Sequence, residues 1–140
     1  MPRADFYLIQ KPRFREEPLL LVCELARKAL DANLPLLVLA RDAEQAEQLD
    51  DLLWSFDEDA YIPHQLAGDD EDDLAPVLIA APDTDTPMRA LVINLRDSAV
   101  ADGFDRVLEV VPADDSARGP LRERWKQYKA MGIEPKKHDM

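Results

Sequence analysis

Four cations near the end of the chain, Arg118, Arg122, Lys126 and Lys129, recur at helical spacing. At 100° per residue they fall within an arc of roughly 80°, with Trp125 at its edge and Leu121 and Tyr128 turned toward the interior. Guanidinium groups grip carboxylates with two parallel hydrogen bonds, and an indole can border a pocket for an apolar side chain. Such a face suits an acidic peptide that also carries an apolar group. The same spacing describes a plain solvated helix face whose cations offset the C-terminal end of the helix dipole. Spacing alone leaves both readings open.

A second group of residues stands out for its bulk. Trp54, Phe56, Tyr61, Ile62, Pro63, His64 and Leu66 crowd an expected helix end and the loop behind it, and they either pack beneath that loop or form a docking patch. His64 has no second His or Cys nearby in sequence, which favours simple hydrogen bonding over a metal or catalytic role. Nucleophilic chemistry finds no foothold. Ser55, Ser98 and Ser116 lie in no elbow motif, and Cys23 falls on the apolar face of an expected helix. A catalytic carboxylate pair cannot be selected from 29 acids without geometry. No catalytic residue, metal or cofactor is expected.

The charge balance narrows the partners. The chain has 140 residues, with 17 Lys and Arg against 29 Asp and Glu, for a net charge of −12. Residues 116–138 carry a net +5, so the rest of the chain sums to −17. Phosphate contacts made by the basic stripe would have to overcome that repulsion, so direct nucleic-acid binding is disfavoured. The single Cys excludes an internal disulfide and any CxxC zinc site, and a reducing cytoplasm fits best. Uncharged stretches fall well short of the roughly 18 residues of a membrane helix, and the start lacks a signal peptide's apolar core. Gly68, Gly103, Gly119 and Gly132 are too scattered to write GxGxxG or GxxxxGK[ST].

The elements that must position these residues alternate in type. Residues 6–9 read as a strand, followed by a polar loop, and Pro18 with Glu16 and Glu17 marks the start of a helix running to about Leu30. The continuous apolar run at 35–40 is the pattern of a strand covered on both faces. Asp42 caps a second helix with Ala43, Ala46, Leu49, Leu52 and Leu53 on its apolar stripe, ending near Trp54 or Ser55. Residues 61–68 read as an apolar loop and 69–73 as a solvated acid run. Strands are expected at 76–80, 90–95 and 106–111, with a short helical turn at 97–102 and a last helix ending at Gly132. The link between 80 and 90 is too short for a crossover helix, so those strands pair antiparallel or are not neighbours. The expected architecture is α/β: one domain over 1–132, an open, mostly parallel or mixed sheet of about five strands with helices on both faces, Rossmann-like without a phosphate loop. Residues 133–140 read as a loose tail.

Several segments together resemble a known family. "DFYLI", "LVCELARKAL", "LLVLARDAEQAEQLDDLLW", "YIPHQLAGDD", "APVLIA", "LVINLRD" and "VPADDSARGPLRERWKQYKAMG" are similar to the chi subunit of the bacterial DNA polymerase III holoenzyme, over nearly the whole chain. The resemblance implies a non-catalytic clamp-loader adaptor in DNA replication, with an α/β fold and no cofactor. It would bind the acidic, Phe-ending C-terminal tail of single-stranded-DNA-binding protein and, on another surface, the psi subunit. By position the tail site would comprise Val111, Arg118, Arg122, Trp125 and Lys126, and the psi-facing surface Trp54, Tyr61, Pro63, His64 and Leu66. Pro120 lacks an amide donor, so the last helix is expected to begin late, with Arg118 in the loop before it. A different partner at the loop patch, such as a repair helicase, a homodimer in isolation and a Rossmann-like nucleotide-binding enzyme remain as alternatives.

Overall fold

The computed structural model describes residues 2–55, 62–68, 75–82, 84, 86–100 and 103–139. The apolar run at 35–40 becomes the centre of its sheet. Strand β1 spans Arg3–Leu8 and β2 Leu36–Leu39; β3 spans His64–Leu66, β4 Val77–Ala80 and β5 Leu91–Asn94. Strand β6 spans Arg106–Val111 and β7 Pro135–Asp139. They form one sheet in the order β3-β4-β2-β5-β6-β1-β7, and every pairing is parallel. All four residues of β2 are buried, as expected for a central strand with layers on both sides.

Helices α1 (Pro12–Glu16), α2 (Leu19–Asp31), α3 (Ala43–Ser55) and α4 (Arg118–Ala130) cover the two faces. On one face Leu21, Val22, Leu25 and Ala29 of α2 and Ala46, Leu49 and Leu53 of α3 pack on Leu36, Val38, Ile79 and Ile93. Cys23 is buried there, and burial pushes its thiol up to about 12. On the other face Tyr128 of α4 joins Phe6, Leu37, Leu78, Val92, Val107, Val100 and Phe104. Asp42 caps α3 as expected: its Oδ1 accepts the Gln45 amide at 2.7 Å.

The structure corrects the sequence reading in several places. Among the described residues the sheet has seven strands rather than about five, and all of their pairings are parallel. Of the two arrangements left open for the strands at 77–80 and 91–94, the structure takes the second: they are not neighbours, because β2 lies between them and pairs with both. Residues 64–66, read as loop, add edge strand β3 to β4. The loop before Pro18 contains α1, with Pro12 in its first turn and Phe14 anchored in the core. The described part of 97–102 is not helical; residues 101–102 and the acid run at 69–73 lie outside the described residues. Helix α4 does not begin late, because a 3₁₀ turn at Asp115–Ala117 leads directly into Arg118. Pro120 then sits in the first turn, where no amide donor is needed.

The loose tail expected at 133–140 is replaced over its described part by a strand, and the turn before it explains the change. Gly132 takes φ +83°. The Gly132 amide donates to Lys129 O and the Ile133 amide to Tyr128 O, each at 3.0 Å. This is a Schellman closure of α4, which buries Ile133 and redirects the chain back along the sheet. Strand β7 then pairs with β1, Ala4 opposite Pro135 through Leu8 opposite Asp139.

Candidate functional site

Helix α4 both anchors itself and presents a surface. Its inner side rests on a buried polar cluster centred on Glu109 of β6. Arg124 Nε lies 2.7 Å from Glu109 Oε1, and both side chains are buried. Asn94 Nδ2 donates to Glu109 Oε2 at 2.8 Å. The Tyr128 hydroxyl donates to the same oxygen and accepts the Val100 amide at 3.1 Å. Burial raises the Glu109 carboxyl above its ordinary value, opposed by the Arg124 charge beside it and by the hydrogen bonds from Tyr128 and Asn94. Burial and the Glu109 carboxylate raise the Tyr128 hydroxyl.

The outer side of α4 forms a hollow of about 340 Å³ with the sheet edge, lined by Phe6 and Leu8 of β1, Leu121, Arg122, Trp125 and Lys126 of α4, and Lys137 of β7. Its floor is apolar. The Phe6 and Trp125 rings lie 5.1 Å apart at 48°, and Phe6 meets Tyr128 edge-on at 5.9 Å. Its rim carries three cations. Arg122 is exposed and forms no ion pair among the described residues, whereas Lys126 stands 3.9 Å from Glu123, both largely exposed. An aromatic ring fits such a floor, and carboxylates beside it would meet the rim.

Of the residues read from the sequence, Arg122, Trp125 and Lys126 converge on this hollow. Val111 and Arg118 do not line it. Val111, the buried last residue of β6, lines an adjoining hollow of about 280 Å³ together with Arg118 and Arg15; Leu8 and Leu121 border both hollows. Arg118 is exposed and lies 3.6 Å from Asp115. Phe6, Leu8 and Lys137 escape sequence reasoning. The period-two pattern of β1 puts Phe6 and Leu8 on one face, but only the placement of β1 beneath α4 shows which, and Lys137 belongs to the supposed tail.

The Trp54 region is assembled differently. Trp54 is 57 % and Leu66 40 % exposed, and Pro63 is half-buried. The His64 side chain is wholly covered, with one ring nitrogen 2.7 Å from Ile62 O and the other 3.1 Å from Asp50 O. Its ring lies 4.7 Å from that of Trp54. His64 therefore supports Trp54 from below. Tyr61 and Phe56 lie outside the described residues. Among the described residues no cluster of His, Cys, Asp or Glu could hold a metal, and no helix is long and apolar enough to cross a membrane.

Residues 1–136 match the family model described as DNA polymerase III chi subunit, HolC. The chain belongs to the DNA polymerase III chi subunit family. Its relatives agree in name. The Escherichia coli K12 DNA polymerase III subunit chi is 36 % identical over 116 residues, covering 81 % of this chain and 79 % of the relative. The Pseudomonas aeruginosa chi subunit is 34 % identical over 142 residues, with 99 % and 96 % covered, and that of Haemophilus influenzae is 28 % identical over 115 residues, with 80 % of each covered. Chi is an accessory subunit of the replicative polymerase and not its catalytic one. Among solved structures, Saccharomyces cerevisiae Dbp5 bound to Nup159 and Gle1 superposes with a TM-score of 0.63 at 16 % identity. That match covers 99 % of this chain and 42 % of the Dbp5 chain, and it is a likeness of fold.

Proposed function

We propose that this chi subunit is a replisome adaptor whose hollow between α4 and the β1–β7 edge receives the acidic, Phe-ending C-terminal tail of single-stranded-DNA-binding protein. One observation carries the reading: an apolar hollow of ring-accepting size is rimmed by Arg122, Lys126 and Lys137 on a chain whose net charge is −12. A concentration of positive charge at an apolar cleft on an acidic molecule selects an acidic peptide with a hydrophobic end. It also disfavours nucleic acid, which would feel the whole-molecule repulsion. The surface of Trp54, Pro63 and Leu66, supported by His64, is assigned to psi. The two surfaces would tie the clamp loader to coated template strand.

A nucleotide reading has less behind it. The crevice over the C-terminal ends of β2, β5 and β6, where open α/β sheets hold their ligands, has a volume of about 530 Å³. It sets Glu17, Asp97 and Asp114 against Arg41, Arg96 and Arg124. The Arg96 guanidinium already donates to Ala40 O and Ala80 O, at 2.9 and 3.1 Å, and Arg124 serves Glu109.

The test is a calorimetric titration of an acidic peptide ending in Phe, beside the same peptide lacking that residue. Micromolar binding that weakens with salt and with loss of the terminal ring is the expected result. Equal affinity for both peptides would refute the site.

A further inference from the structure

The last strand of the sheet carries one of the three rim cations, and it is fastened by a group that takes no part in the hollow. Strand β7 is an edge strand, paired among the described residues with β1 alone. Side chains alternate along it. Lys137, opposite Phe6, falls on the α4 face and lines the hollow, whereas Lys136 and His138, opposite Asp5 and Tyr7, fall on the other face. There His138 Nε2 lies 3.0 Å from Oδ1 of Asp5, a carboxylate with no exposed surface. Its ring also stacks on Tyr7 with centroids 5.1 Å apart at 24°. The other Asp5 oxygen accepts from Arg106 Nε at 2.7 Å, with Arg3 at 3.6 Å, and Arg106 Nη2 donates to the Tyr7 hydroxyl at 3.1 Å. Arg3, Asp5 and Tyr7 belong to β1 and Arg106 to β6, so two paired strands hold a receptacle that the third strand enters through His138.

We propose that His138 is a positioning residue for the peptide hollow: by donating to Asp5 and stacking on Tyr7 it holds β7 in register, which sets Lys137 at the hollow's rim. The inference rests on the docking reading given above. A five-residue edge strand that begins with Pro and carries two exposed lysines has little apolar burial of its own beyond Pro135. Such strands fray unless they are tied down. The buried carboxylate is the tie, and the strand's alternation converts a contact on one face into placement of a cation on the other.

Peptide titration of single and double variants separates this role from simple stability. His138→Ala is expected to weaken binding of the Phe-ending peptide several-fold, about as much as Lys137→Ala. The His138→Ala/Lys137→Ala double variant should be no weaker than Lys137→Ala alone, because both changes remove the same cation from its place. His138→Gln, which keeps a side-chain donor for Asp5, should recover most of the affinity, and Lys136→Ala on the far face should stay within twofold of the parent. Wild-type affinity in His138→Ala, or losses that multiply in the double variant, would overturn the proposal. Amide hydrogen exchange judges the tie without any peptide: β7 amides should lose protection selectively in His138→Ala, and unchanged protection would overturn it. A parent protein that ignores the peptide would refute the docking reading itself, leaving the exchange result to decide the tie on its own.

Discussion

Replacing Arg122 with alanine removes a rim cation that gives up no ion pair among the described residues on binding. Arg118 and Lys126 each stand near an acid on their own helix or the turn before it, Asp115 and Glu123, whereas Arg122 is exposed with no ion pair among the described residues. A hydrogen bond to a charged group contributes roughly 1.5–3 kcal/mol when well formed. On an exposed rim the lower end applies, since water and salt screen the pair. About 1.5 kcal/mol is roughly a tenfold loss of affinity, while fold stability should stay within about 0.5 kcal/mol, as for other surface changes. Calorimetry with the acidic Phe-ending peptide at low salt measures the first quantity and thermal unfolding the second. Arg122→Lys should fall between, because the charge survives but the planar fork does not. Affinity for Arg122→Ala within twofold of the parent, with the fold intact, would refute the assignment of this face to a carboxylate-bearing ligand.

Arg124→Ala, two residues further along α4, should act on the fold. It strands the buried Glu109 carboxylate, which by analogy with other broken buried pairs costs about 3–5 kcal/mol; the melting temperature should fall by roughly 10–17 °C, as read by circular dichroism. Acid should destabilise the sheet through Asp5. Burial raises that carboxyl, but hydrogen bonds from His138 and Arg106 and the charges of Arg106 and Arg3 outweigh it and hold it below the ordinary 3.8. A depressed folded value means that its stabilisation is present above the unfolded value and is lost as pH falls through the folded one. Urea midpoints should therefore drop below about pH 4, and Asp5→Asn should flatten that drop while lowering stability at neutral pH. Trp54→Ala should leave the urea midpoint nearly unchanged, because the indole is 57 % exposed, and should abolish co-purification with psi; retained co-purification would move psi elsewhere.

The fold was legible where a segment's pattern sufficed. The continuous apolar run at 35–40 carried the pattern of a strand covered on both faces, and Asp42 marked the start of α3 by the chemistry of its cap. What escaped the sequence depends on partners. Residues 64–66 are a strand only because β4 presents an edge to them. Residues 135–139, Pro-led and lysine-rich, carry the signals of a tail or a guarded edge, and only Gly132 hints that the chain turns back. The short link between β4 and β5 left antiparallel pairing or separation open, and only the placement of β2 between them decides for separation.

The candidate site shows the same division at finer scale. Arg122 and Arg124 are one residue type, two positions apart, and composition counts them alike. Two residues on a helix turn the side chain by roughly 200°, so Arg122 faces the hollow while Arg124 points at Glu109. The acid that claims Arg124 sits on β6, on the same face as Val107 and Val111, in a strand otherwise apolar after Arg106. An isolated Glu within "VLEVV" is the one signal in the sequence that a cation from a covering helix must come down to meet it. Arg124 counts toward the +5 of residues 116–138 without belonging to the stripe, and of the stripe only Arg122 and Lys126 reach the hollow, whose rim is completed by Lys137 from the segment read as a tail. The anchoring pair makes the narrow rim serviceable: with Arg124 and Tyr128 fixed on Glu109, α4 cannot roll, and Arg122, Trp125 and Lys126 hold their places over β1.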